Sequence, residues 1–201
     1  MHASSKSNSK LKIIIPLIIV LLLLGAGVNA LVNVGVNQGY APTQPIPFSH
    51  KLHAGTNGIA CMYCHTGVEK SKMATVPSMN VCMNCHSVVK PDSPHIQRLK
   101  EMYAKGESIQ WVKVNDLPDH VNFNHKRHVT KGIACETCHG DVKKMDVVRQ
   151  DKPLLMGWCL DCHRGKTAPE FLERAPKTSI EASTGVPPGG VAPTSCYTCH
   201  H

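Results

Sequence analysis

The distribution of apolar residues divides the chain into two unequal parts. From Ile13 through Val36 the sequence is apolar without a single charge, whereas Lys6, Lys10 and Lys12 make the preceding residues 1–12 basic. At ~1.5 Å per residue, a helix over 13–36 is long enough to cross a hydrocarbon layer of about 30 Å. The lysines place its start on the cytoplasmic side, so the chain beyond residue 36 lies on the outer side. A cleaved signal peptide is the competing reading, with Ile13 to Leu24 as its apolar region and Val28-Asn29-Ala30 as its cleavage site. Resumed apolar character at Leu31, Val32, Val34 and Val36 favours a retained single-pass anchor. Gly25, Asn29, Asn33 and Asn37 recur at every fourth position, a small and polar stripe that predicts contact with another membrane helix.

Beyond residue 36 sustained periodicity disappears. Tyr40 to Pro47 reads as a proline-rich connector within 37–47. One segment has helix punctuation: Ser93 as cap, Pro94 in the first turn, Ile96, Leu99, Met102 and Tyr103 on one face, and Gly106 as terminator. His95 falls in its first turn, as a solvated side chain. Ile109-Gln110-Trp111-Val112 predicts a short extended piece, and Pro169 to Arg174 a helical turn or two in the arm Arg164 to Ser195. Twenty-nine glycines and prolines against three Phe, two Trp and four Tyr give loops in abundance and thin material for a side-chain core.

All ten cysteines fall in five copies of C-x-x-C-H: Cys61 and Cys64 before His65, Cys82 and Cys85 before His86, Cys135 and Cys138 before His139, Cys159 and Cys162 before His163, Cys196 and Cys199 before His200. This is the attachment signature of c-type haem, in which two thiols bond the haem and the next histidine meets the iron. Paired cysteines also hold zinc or form disulfides. Neither use calls for a histidine after every second cysteine. The expected cofactors are therefore five covalent haems, whose faces supply the missing core. The formal charge of +8 is offset by roughly ten propionate charges, so basicity implies no nucleic-acid partner.

An internal repeat surrounds the motifs. Phe48-Ser49-His50-Lys51-Leu52-His53 matches Phe123-Asn124-His125-Lys126-Arg127-His128, and Gly58-Ile59-Ala60-Cys61 matches Gly132-Ile133-Ala134-Cys135. Each repeat carries F-x-H-x-x-H, one haem motif and then a second, giving dihaem modules over 48–90 and 123–165 and a fifth haem at 196–200, within a domain spanning 48–201. Histidines three apart share one face of a helical turn and reach two neighbouring irons. His50, His53, His125 and His128 are thus the second source of ligands.

These residues resemble the class III multihaem cytochromes, mostly α with extensive loops around a haem core. That resemblance implies that the first histidine of each pair serves the first following haem and the second the next: His50 with His65, His53 with His86, His125 with His139, His128 with His163. With the membrane span, the fifth motif and the stretch Leu117 to His125, the whole is similar to the membrane-anchored pentahaem subunit of alternative complex III. This second resemblance implies a multi-span quinol-binding partner subunit and an onward cytochrome c or terminal oxidase.

The fifth iron has no partner in the repeats. His120, after the Pro118-Asp119 turn, is the candidate. Met156, three residues before Cys159, is the alternative, and its repeat counterpart Met79 has the same standing; packing against a porphyrin face is the plainer role for both methionines. His201 is read as a solvated terminal residue. Iron closed by histidine on both sides suits electron transfer and not catalysis. The expectation is a non-catalytic electron-transfer subunit of a quinol-oxidising complex, with the first haem nearest the membrane. The rivals are a self-sufficient membrane quinol dehydrogenase feeding a periplasmic reductase, and a stand-alone multihaem reductase with an open iron.

Overall fold

The computed structural model describes residues 9–32, 34–166 and 192–200. Asn33, His201 and the turn expected at Pro169 to Arg174 lie outside them. The chain forms two compact units, Met1–Val36 and Asn37–His201. No strand occurs among the described residues.

The first unit is the helix α1, Ser9–Val32, with Pro16 inside it. Its segment Lys10–Leu31 is long and apolar enough to cross a membrane. Helix and apolar run do not coincide: the helix starts four residues before Ile13 and stops four before Val36. A turn comes next, with the Val34 amide donating to the Leu31 carbonyl at 3.3 Å and Gly35 at φ 79°. Glycine adopts that left-handed backbone without penalty, and it halts the helix. The expected polar stripe therefore does not continue to Asn37, which belongs to the second unit.

The second unit consists of short helices on loops: α2 Cys61–Cys64, α3 Met79–His86, α4 Pro94–Ala104, α5 His125–Val129, α6 Cys135–His139, α7 Met156–His163 and α8 Cys196–Cys199, with a π turn at Lys51–Thr56 and a 3-10 turn at Val142–Lys144. The expected connector is stitched into this unit. Gln150, 1% exposed, accepts from the Gly39 amide through its backbone carbonyl at 2.7 Å and donates its own amide to the Tyr40 carbonyl at 2.9 Å, while its side chain accepts from the Asp116 amide at 3.0 Å. The Gln44 side chain both donates to and accepts from the Val112 backbone. That clamp holds the Trp111 segment, which belongs to no strand and whose Trp111 amide bonds the Ile109 carbonyl.

Helix α4 follows its punctuation, with Pro94 in the first turn and Leu99 buried. Ser93 makes no side-chain cap bond; proline at the first position already removes one orphan amide. His95 is exposed. Among the described residues the buried apolar side chains are Ile46, Val68, Leu99, Met145 and Leu154. Five such side chains are too few to offset the ordering of a unit of this length, as the scarcity of aromatics implies.

The two repeats hold each other. The Lys51 amide of the first ligand turn bonds the Met145 carbonyl, and Ser49 and Lys51 both reach Asp146, at 2.8 and 3.0 Å. A Cβ on Gly55 would run into the Lys143 carbonyl oxygen, so the turn approaches as closely as it does because residue 55 has no side chain. Reciprocally, the amides of His125 and Lys126 in the second ligand turn bond the carbonyls of Lys72 and Ser71, each at 3.2 Å. Each module's histidine turn thus rests on the loop that comes after the other module's first cysteine motif.

Candidate haem-binding site

Every C-x-x-C-H motif occupies a short helix that enters from extended backbone at Ala60, Ser78, Ala134, Leu155 or Ser195. One helical turn puts residues three apart on the same side, so both thiols of a motif face one way and the histidine comes directly after them. None of the ten cysteines is in a disulfide. Burial pushes the Cys138 thiol up to about 11, with Cys162 and Cys159 adding to it. Burial raises Cys64, Cys82, Cys135 and Cys159 as well. No group of three or more metal-ligating side chains converges among the described residues, and two thiols on one side of a turn with a histidine directly after them suit attachment of haem through two thioethers.

The motif histidines face second histidines. Ring centres are 6.1 Å apart for His53 and His86, 6.4 Å for His125 and His139, and 6.2 Å for His128 and His163. Two metal–nitrogen bonds of about 2.0–2.1 Å plus roughly 1.1 Å from nitrogen to ring centre on each side give ~6.3 Å for imidazoles bridged by one metal. Three pairs therefore leave the room an iron needs. His50 lies within electrostatic reach of His65, and burial, then the charges of His65, His53 and His139, depress its pKa to about 4. Its ring is neutral at physiological pH, as a ligand must be. His120 stands beside His200 at 5.0 Å, rings inclined by 21°. That pair, on an exposed loop, is closer than a bridged one by about 1.3 Å, so the spacing of the other three pairs is not repeated here. Met156 is 65% exposed.

Hydrogen bonds fix which ring nitrogen is free. Nδ1 of His53, His65, His86, His125, His128, His163 and His200 each lies 2.6–3.1 Å from a backbone carbonyl oxygen, of Ser49, Thr75, Val89, Lys72, Asn124, Pro193 and His120 in turn. A carbonyl only accepts, so Nδ1 carries the proton and Nε2 keeps its lone pair, the usual state of an imidazole prepared for a metal. Thr75 offers its carbonyl from φ 64°, an unfavourable conformation for a β-branched residue and the kind of local strain that gathers at functional sites.

The Phe of each F-x-H-x-x-H segment has a role that the sequence did not disclose. Phe48 stacks on His53 at 4.3 Å and meets His50 edge-on at 4.9 Å. Phe123 repeats this with His128 at 4.4 Å and His125 at 4.8 Å. One ring sets the planes of two histidines that face different partners.

The motifs also have a spatial order. Asn84 in the second donates to the Tyr63 hydroxyl in the first at 3.0 Å. Cys61 of the first lies within electrostatic reach of Cys135 of the third. Cys138 of the third lies among the thiols of the fourth. His163 of the fourth donates to Pro193, just ahead of the fifth, at 2.6 Å, and the Asn122 amide bonds the Cys199 carbonyl in the fifth at 2.8 Å. The succession is second, first, third, fourth, fifth. The first motif stands inside that succession.

Residues 121–201 match the family described as cytochrome c7 and related cytochrome c. This region holds the last three cysteine motifs and the second F-x-H-x-x-H segment. Over 114 residues the chain is 38% identical to the menaquinone reductase multiheme cytochrome c subunit of Nitratidesulfovibrio vulgaris Hildenborough, the aligned part covering 51% of this chain and 54% of that protein. The chain thus spans about half the length of the curated relative it matches. The described residues are mostly helical, and the matched part, residues 121–201, is similar to a domain of the cytochrome c7 type.

Proposed function

We propose that this chain is an electron-transfer subunit with five c-type haems, bound to the outer face of a bacterial cytoplasmic membrane through α1 and exchanging electrons with quinone through a partner subunit. Thioether bonds come from Cys61, Cys64, Cys82, Cys85, Cys135, Cys138, Cys159, Cys162, Cys196 and Cys199. The five irons take His65 with His50, His86 with His53, His139 with His125, His163 with His128, and His200 with His120. When bound, haem supplies one-electron redox chemistry at each iron. The protein supplies two nitrogens per iron, the hydrogen bonds that orient them, and a succession of touching sites with no coordination position for substrate.

The observation that carries this reading is the set of imidazole pairs separated by the width of one metal ion, with the outer nitrogens tied to backbone carbonyls. A catalytic reductase keeps one position open; here every motif histidine has a second histidine near it. Quinol oxidation needs a proton acceptor at the membrane, and α1 contains no acidic residue, so that chemistry belongs to a multi-span partner. In the favoured direction electrons leave quinol for a cytochrome c or oxidase, as in alternative complex III. The likeness to a menaquinone reductase subunit supports the opposite direction along the same sites.

Mild detergent extraction and subsequent purification test the proposal. Five haem masses should add to the 21.9 kDa polypeptide and large membrane subunits should accompany it. Addition of a quinol analogue should then reduce the haems of the intact complex. A chain that purifies alone with an iron that binds carbon monoxide would show a stand-alone reductase instead. Reduction of the isolated chain by quinol would make it a self-sufficient dehydrogenase.

A further inference from the structure

Resting on the ligand pairs proposed above, the hydrogen bonds to those histidines separate the four sites of the two modules into two kinds. At the second site, both imidazoles are anchored: His53 to the Ser49 carbonyl at 2.8 Å and His86 to the Val89 carbonyl at 3.1 Å. The fourth site repeats this, with His128 on Asn124 at 2.9 Å and His163 on Pro193 at 2.6 Å. At the first site only His65 is anchored, on Thr75, while Nδ1 of His50 is buried without any acceptor. The third site has His125 on Lys72, and Nδ1 of His139 has no acceptor among the described residues.

A carbonyl that accepts the Nδ1 proton makes the opposite nitrogen a stronger electron donor. Stronger donation favours ferric over ferrous iron and lowers the reduction potential; desolvation of a charged ferric site raises it. The Nδ1 atom of His50 is itself buried, so at the first site the missing anchor and the burial act in the same direction.

We infer that within each module the second site has the lower reduction potential, so that the first and third sites form an adjacent pair of higher potential at the middle of the series. The ligand turns produce this themselves. In each F-x-H-x-x-H segment the second histidine bonds back to the carbonyl four residues earlier. The first histidine depends on whatever the opposite module offers: Lys72 for His125, nothing for His50. Two neighbouring sites of higher potential would together hold the two electrons that one quinol releases, an advantage that neither module has alone.

Potentiometric titration of the detergent-solubilised full chain, monitored optically and by electron paramagnetic resonance, tests the ranking. Methionine in place of an axial histidine raises the potential of the iron it serves and so labels that site. His53→Met and His128→Met should each remove one component from the two lowest potentials. His50→Met and His125→Met should leave those two in place and shift a higher component upward. The reverse assignment, or five sites titrating at one common midpoint in the unaltered chain, would overturn the inference. Two modules supply two independent tests, so loss of haem from one variant leaves the other pair decisive. A haem count below five in the unaltered chain would instead contradict the ligand assignment itself.

Discussion

Phe123 is the most informative residue to change, because a single ring touches the proposed ligands of two irons. It stacks on His128 with centres 4.4 Å apart and planes at 27°, and stands edge-on to His125 at 4.8 Å and 88°. An aromatic pair in such geometry contributes about 0.5–1.5 kcal/mol beyond the area it covers, so Phe123→Leu, which keeps most of the apolar volume, removes on the order of 1–3 kcal/mol through two pairs. With a slope of about 1–3 kcal/mol per molar urea, the unfolding midpoint of the haem-loaded protein should fall by roughly 1 M. Relaxed ring planes should also alter the electron paramagnetic resonance signals of the third and fourth sites and leave those of the first and second unchanged. Phe48→Leu should do the converse, and a Tyr at either position should restore both stability and spectrum. An unchanged midpoint with unchanged spectra would refute the positioning role. Equal changes at all five sites would show general loosening in place of local orientation.

His120→Ala should open the fifth site and make one haem of five bind carbon monoxide when reduced; if Met156→Ala does so and His120→Ala does not, the histidine assignment is wrong. Gly55→Ala should cost about 1–3 kcal/mol, as overpacked sites do, because the new Cβ meets the Lys143 carbonyl and that neighbour is backbone; urea unfolding measures it. Gly106→Ala tests a different effect, since its φ of 69° disfavours a side chain but nothing lies within 4 Å of the added atom. It should cost about 1–2 kcal/mol, and a Gly55→Ala variant as stable as the unaltered chain would contradict the close-approach argument.

What the sequence made legible was whatever is encoded within a few neighbouring residues. The cysteine motifs, the repeated histidine pairs, the long apolar segment and the helix after Ser93 all have local signatures, and each appears as a feature of the fold. The boundaries of α1 depart from the apolar run because apolar character alone does not register Gly35, which turns the chain before that run ends. Equivalent ligand segments take different forms: α5 is an α-helical turn opened by Asn124, whose side chain accepts from Arg127, whereas Lys51–Thr56 is a π turn. Gly55 permits the closer approach that accompanies it. The carbonyls of Thr75, Lys72 and Pro193 were invisible in advance, since a backbone acceptor has no residue type. The docking of each histidine turn on the other module joins positions 53 and 95 residues apart, and separations of that size leave no periodic trace.

Those separations also impose a timetable on maturation. A chain that emerges N-terminus first presents His50 and the first cysteine motif long before Met145 and Asp146, on which the Lys51 turn rests. At that stage the first ligand turn has no scaffold yet. Completion comes when the second repeat emerges and supplies the missing support, at which moment the second ligand turn settles on Ser71 and Lys72 in return. A chain truncated between the repeats would lack that support altogether.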